Sequence, residues 1–129
     1  MQVMPNSVAD ITGDDSLRSD PIPLFDPATN LRLGQQYLSW LHAHGTGPDI
    51  FRIVAAYDGG PTTVQRTRTI VGGDDSLLLV ESLPYVETRD YVRKVMTAYW
   101  SYRRQFGAES PTLDAVASGS SRIDMDLDQ

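Results

Sequence analysis

The chain has 129 residues, the length of about one domain. Apolar residues make up 40% and charged residues 22%, a globular balance that excludes wholesale disorder. Lys and Arg number 11 against 17 Asp and Glu; the net charge of −6 and a pI near 4.6 argue against nucleic-acid backbone binding, and the absence of Cys excludes a disulfide framework, thiol catalysis and Cys-based zinc sites.

No apolar run approaches the roughly 18 residues that would span a bilayer. Met1 to Asn6 has no basic n-region and leads into no apolar h-region, so an export signal is not expected in these residues. Residues 1 to about 24 are mixed, with a short apolar-periodic start and then an acidic, Pro-containing stretch. Asp26-Pro27 makes a stop, and Asn30 is expected to cap the next helix. Its apolar face reads Leu31, Gly34, Tyr37, Leu38 and Leu41. Gly45-Thr46-Gly47 ends it, and Pro48 suits the first turn of another.

Ile50, Phe51, Ile53, Val54, Ala55 and Ala56 are too continuous for a surface helix, so this segment is expected to be buried on most sides. Asp58-Gly59-Gly60-Pro61 breaks it. After the short run Leu77 to Val80, the strongest pattern is Tyr91, Val92, Val95, Met96, Tyr99, Tyr102 and Phe106, the stripe of a last long helix. Tyr99 and Trp100 are expected to pack that helix. From Gly107 small and acidic residues dominate without an aromatic, which predicts a disordered tail over 107–129. Strand signals are weak, and the fold class expected is all-α.

The pentapeptide Gly-Asp-Asp-Ser-Leu occurs at Gly13–Leu17 and again at Gly73–Leu77. It is too short for a repeat architecture and reads as turn and N-cap chemistry in both places. His42 and His44, two apart, diverge on a helix, and Asp124, Asp126 and Asp128 lack the central Gly and closing Glu of a calcium loop. Neither a metal nor a cofactor is expected.

Two clusters carry more. Ala55-Ala56-Tyr57-Asp58-Gly59-Gly60-Pro61 closes a buried helix with an aromatic, an acid and a tight turn; Leu83-Pro84-Tyr85-Val86-Glu87-Thr88-Arg89-Asp90-Tyr91-Val92 opens the last helix beside tyrosines. These resemble the Ala-Tyr-Asn-Ala-Gly-Pro and Ile-Pro-Tyr-x-Glu-Thr-Arg-x-Tyr-Val motifs of the soluble lytic transglycosylase (SLT) family, lysozyme-like helical domains that cleave the glycan strands of peptidoglycan. Met1-Gln2-Val3-Met4-Pro5 is similar to the end of the family's Gly-Leu-Met-Gln-x-Met-Pro motif, and Asp26-Pro27, Asn30-Leu31, Leu33-Gly34 and Tyr37-Leu38 match a further family helix. The resemblance covers about residues 1–106, read as a partial SLT domain.

The resemblance implies cleavage of the MurNAc-GlcNAc β-1,4 bond with a 1,6-anhydro product, in the periplasm or at the cell envelope, with glycan strands as partner and no cofactor. It implies substrate-binding roles for Gln2, Met4, Tyr57, Asp58 and Glu87. The family's acid is the Glu of a Glu-Ser pair preceding Gly-Leu-Met-Gln, so it is expected upstream of Met1, with no catalytic residue in these 129. The glutamates present are Glu81, Glu87 and Glu109, all downstream. Without that acid, which protonates the leaving oxygen and then acts as base, the chain is expected to be inactive on its own. Three readings stand: an N-terminally incomplete transglycosylase, a non-catalytic relic that binds glycan or a protein partner, or a helical interaction module with no sugar role. Asp58 in place of Asn and Gly59 in place of Ala are the further departures from the family pattern.

Overall fold

The computed structural model describes residues 3–129 and is helical throughout, with no strand among the described residues. Contacts divide the chain into two compact units, Met1–Leu41 and His42–Gln129.

In the first unit, α1 (Pro5–Thr12) packs with α2 (Ser16–Ser19) and with α3 (Pro27–Trp40). The cap of α3 is Asp26, not Asn30. The Asp26 carboxylate accepts from the Thr29 amide at 2.9 Å, satisfying a donor the helix itself cannot. Pro27 then takes the first helical position, where its missing N–H costs nothing. Asn30 lies one turn in, buried, its amide donating to the Leu24 carbonyl at 3.1 Å. This shifts the buried stripe to Asn30, Leu33, Gly34 and Tyr37, and Leu31, expected inside, is 53% exposed.

The second unit is built around α4 (Ile50–Gly59), which packs against α5 (Pro61–Val71), α6 (Ser76–Ser82) and α7 (Val86–Gln105). Every residue from Ile50 to Ala56 is buried, as the unbroken apolar run predicts. Asp49 rather than Pro48 starts the helix, capping the Arg52 amide at 3.0 Å. Gly60 alone separates α4 from α5; its φ of 86° and ψ of 147° belong to a region that only glycine enters at low cost. α7 buries Thr88, Val92 and Met96, while Tyr102 and Phe106 at its far end are exposed.

The tail is ordered, which corrects the expectation of disorder over 107–129. α8 (Pro111–Ala117) follows α7, and Ile123 is fully buried. The Ile50 amide donates to the Ile123 carbonyl at 2.9 Å, the Ser76 amide to Ser121 at 2.7 Å and the Met125 amide to Pro48 at 2.9 Å. Asp49, 1% exposed, accepts from the Ile123 amide and from the Ser76 hydroxyl. Further on, the Asp128 carboxylate accepts from the Thr112 amide and hydroxyl and from the Tyr99 hydroxyl, at 2.7–2.9 Å. Trp100 donates to the Thr112 hydroxyl at 2.9 Å and meets Phe51 edge to face. Tyr99 and Trp100 thus pack α7 against this tail. Burial acts to raise the Asp128 pKa, but the Thr112 and Tyr99 hydrogen bonds and the Arg103 charge outweigh it, and the carboxyl sits below its ordinary value.

The two Gly-Asp-Asp-Ser-Leu copies have different fates. At Gly13–Leu17, the Asp14 carboxylate accepts from the Ser16 amide and hydroxyl in a local turn. At Gly73–Leu77, Asp75 caps α6 through the Leu78 amide, Ser76 reaches Asp49, and Asp74 accepts from Arg52 and Arg68.

Candidate functional site: a groove between the ends of α4 and α7

A groove of about 600 Å³, open to solvent, lies in the second unit. Asp58 and Gly59 line it from the end of α4; Pro84, Tyr85, Val86, Glu87 and Thr88 line it from the start of α7. The two clusters that stood out in the sequence therefore meet. They do so because α4 and α7 pack together, one by its last turn and the other by its first.

Gly59 sets how closely they approach. A Cβ there would lie 3.0 Å from the Thr88 Cγ2 and 3.1 Å from its Oγ1. Thr88 is itself buried and cannot swing into solvent. Gly59→Ala is therefore expected to destabilise the chain by about 1 kcal/mol, the overpacking cost less what alanine returns in helix propensity. Thr88→Ala made alongside should recover most of that loss, and a double-mutant cycle in urea measures the coupling.

The electrostatics of the groove are lopsided. Asp58 sits at the C-terminal end of α4, where the helix dipole disfavours an anion, while Glu87 occupies the first turn of α7, where it is favoured. The N-cap of α7, Tyr85, makes no side-chain cap, and its ring is 58% exposed on the groove wall. Neither Asp58 nor Glu87 has an ion-pair or side-chain hydrogen-bond partner among the described residues. Tyr91, half-buried one turn beyond Glu87, has its hydroxyl pKa pushed up by burial and, secondarily, by the Asp58 charge.

The sequence-expected residues do not all converge. Asp58 and Glu87 share the groove, whereas Tyr57 is not among its lining residues and its hydroxyl is buried. Met4 is 66% exposed at the N-cap of α1, in the first unit. Gln2 lies outside the described residues. Thr88, Tyr85 and Val86, which the sequence reading did not single out, belong to the lining; their signal was their place inside the Pro84–Val92 cluster.

A family model described as the transglycosylase SLT domain matches residues 1–78. The chain belongs to the transglycosylase SLT domain family. Over 119 residues, 88% of this chain, it is 38% identical to the soluble lytic murein transglycosylase of Escherichia coli K12. It is 34% identical over the same length to that of Salmonella typhimurium, and 34% over 100 residues to membrane-bound lytic murein transglycosylase C of Shigella sonnei. The SLT chain spans 18% of the length of the first two relatives and 28% of the third. No solved structure matches significantly. The helical architecture agrees with the lysozyme-like fold of SLT domains. Among the described residues, no helix is long and apolar enough to cross a membrane, and no cluster of His, Asp and Glu has the makings of a metal site.

Proposed function

We propose that this chain supplies the glycan-binding floor of a lytic murein transglycosylase cleft, acting on peptidoglycan strands at the MurNAc-GlcNAc β-1,4 bond with a 1,6-anhydro product. The observation that carries this reading is the meeting of Asp58 and Glu87 across one groove, from two clusters that match the family's motifs. In this reading Asp58 and Glu87 bind sugar hydroxyls and Tyr57 supports the end of α4 beside them; for Gln2 and Met4 a substrate-binding role rests on the family motif alone. The periplasm or cell envelope is where such a substrate is met.

Cleavage needs a proton donor for the leaving oxygen, and none of Glu81, Glu87 and Glu109 stands where the family's Glu-Ser acid does. The chain alone is expected to release no 1,6-anhydro-muropeptides from purified peptidoglycan. Extended at its N-terminus by a segment carrying Glu-Ser and ending in Gly-Leu, it should release them, and Tyr57→Ala should cut that release about tenfold or more. Turnover by the unextended chain that persists in Glu87→Gln overturns the assignment of the acid. Equal cleavage with Ala at position 57 removes Tyr57 from the site. A chain that binds glycan strands yet stays inactive after extension supports the second reading, a binding relic.

A further inference from the structure

The groove carries two carboxylates and no cation. Asp58 and Glu87 both line it, both exposed and both without an ion-pair or side-chain hydrogen-bond partner among the described residues, while other acids of the unit are paired: Glu81 with Arg93, Asp74 with Arg52 and Arg68. Groove lining also includes Thr88, only 3% exposed, whose Oγ1 lies beside Gly59 and makes no hydrogen bond among the described residues. As part of the lining, that hydroxyl can exchange water for a ligand atom that enters the groove. On the wall, Tyr85 and Val86 present exposed apolar surface of the kind on which a sugar ring rests.

A neutral acetamido group offers two unpaired carboxylates only one weak donor, and an anionic group is repelled by both. A protonated primary amine offers three donors and the missing charge. We propose that this groove selects a ligand bearing a primary ammonium group, held by Asp58 and Glu87, with the Thr88 hydroxyl taking part in its hydrogen bonding. The inference rests on the glycan reading above and sharpens it. The ammonium has two sources in peptidoglycan, the C2 amine of a glucosamine unit that has lost its acetyl group and the terminal amine of a diamino acid in the stem peptide.

The test is titration of the chain, followed by amide NMR and calorimetry at low ionic strength, with a glucosamine tetramer, an N-acetylglucosamine tetramer and free diaminopimelate. The expected result is an amine probe binding about tenfold more tightly than the N-acetylated tetramer, with shifts centred on Glu87 and Thr88. Which amine binds names its source. Asp58→Asn and Glu87→Gln, exposed changes that leave folding nearly untouched, should each erase most of the preference, as should molar salt. An N-acetylated tetramer that binds in this groove as tightly as the amines overturns the inference and leaves the glycan reading in place. Absence of binding by every probe overturns both. An amine preference that survives both variants also overturns it, because the carboxylates would then not be its cause.

Discussion

Removing residues 107–129 is expected to lower the thermal midpoint by about 10 °C or more, or to abolish a cooperative transition altogether. The deletion strips fully buried Ile123 from the second unit, opens the ends of α4 and α6, and leaves Tyr99, Trp100 and Arg103 without their partners. Part of the loss is returned as freed chain entropy, so the sharper form is a single substitution. Ile123→Ala should cost about 2–5 kcal/mol, the range for truncating a fully buried aliphatic side chain. The attachment should also be acid-sensitive. The folded Asp128 pKa lies below its unfolded value of about 3.9, so its contribution is complete above that value and is lost as pH falls through the lower, folded one. Urea midpoints between pH 5 and 2 should fall more steeply for the intact chain than for Asp128→Asn. A deletion variant that melts with the intact chain would show that the tail contributes nothing.

The second large effect belongs to Asp49. Its carboxylate caps α4, receives the Ser76 hydroxyl from α6 and receives the Ile123 amide from the tail, all in the interior. Asp49→Ala leaves three buried donors without an acceptor, and with about 1–3 kcal/mol for each unmet group the loss should reach roughly 3–5 kcal/mol. Asp124→Ala makes a fair control. That residue caps only the Asp126 amide in the final turn, so about 1 kcal/mol is expected. Chemical denaturation of the pair decides it. Equal losses would mean that Asp49 acts as an ordinary cap.

The helical class and the two clusters at helix ends were legible in the sequence because both rest on local signals. The stripe through Val92 and Met96 fixes the buried face of α7, and the unbroken run from Ile50 to Ala56 announces a helix surrounded on all sides. α5 escaped notice because its β-branched and charged residues, Thr62, Thr63, Arg66, Thr67, Arg68 and Thr69, dilute any apolar period; only Val64 and Thr67 are buried. The tail escaped for another reason. Its attachment depends on one apolar residue and on Asp49 and Asp128, whose partners are distant in sequence, and composition carries no trace of long-range hydrogen bonds. Likewise Asn30 looks like a cap until Asp26 is seen to hold the Thr29 amide.

Of the site, the acidic character and the placement at helix ends were readable, since Asp58 and Glu87 flank strong breakers. What the sequence withheld was contact. That Gly59 has to be small to admit Thr88, or that Tyr57 turns its hydroxyl inward, depends on how two helices cross rather than on either helix alone.

Asp49 also says something about time. Its hydrogen-bond partners Ser76 and Ile123 stand 27 and 74 positions along the chain, so the junction closes only after nearly all of the second unit has left the ribosome. Until then α4 and α6 present unmatched polar ends, and their apolar surface stays open to unwanted neighbours, the period in which aggregation competes with folding. Bringing such remote groups together also demands long loop closures, whose entropy is lost before the contacts return it. A chain stalled a few residues short of Ile123 would hold all the long helices and still lack the bond that fastens them.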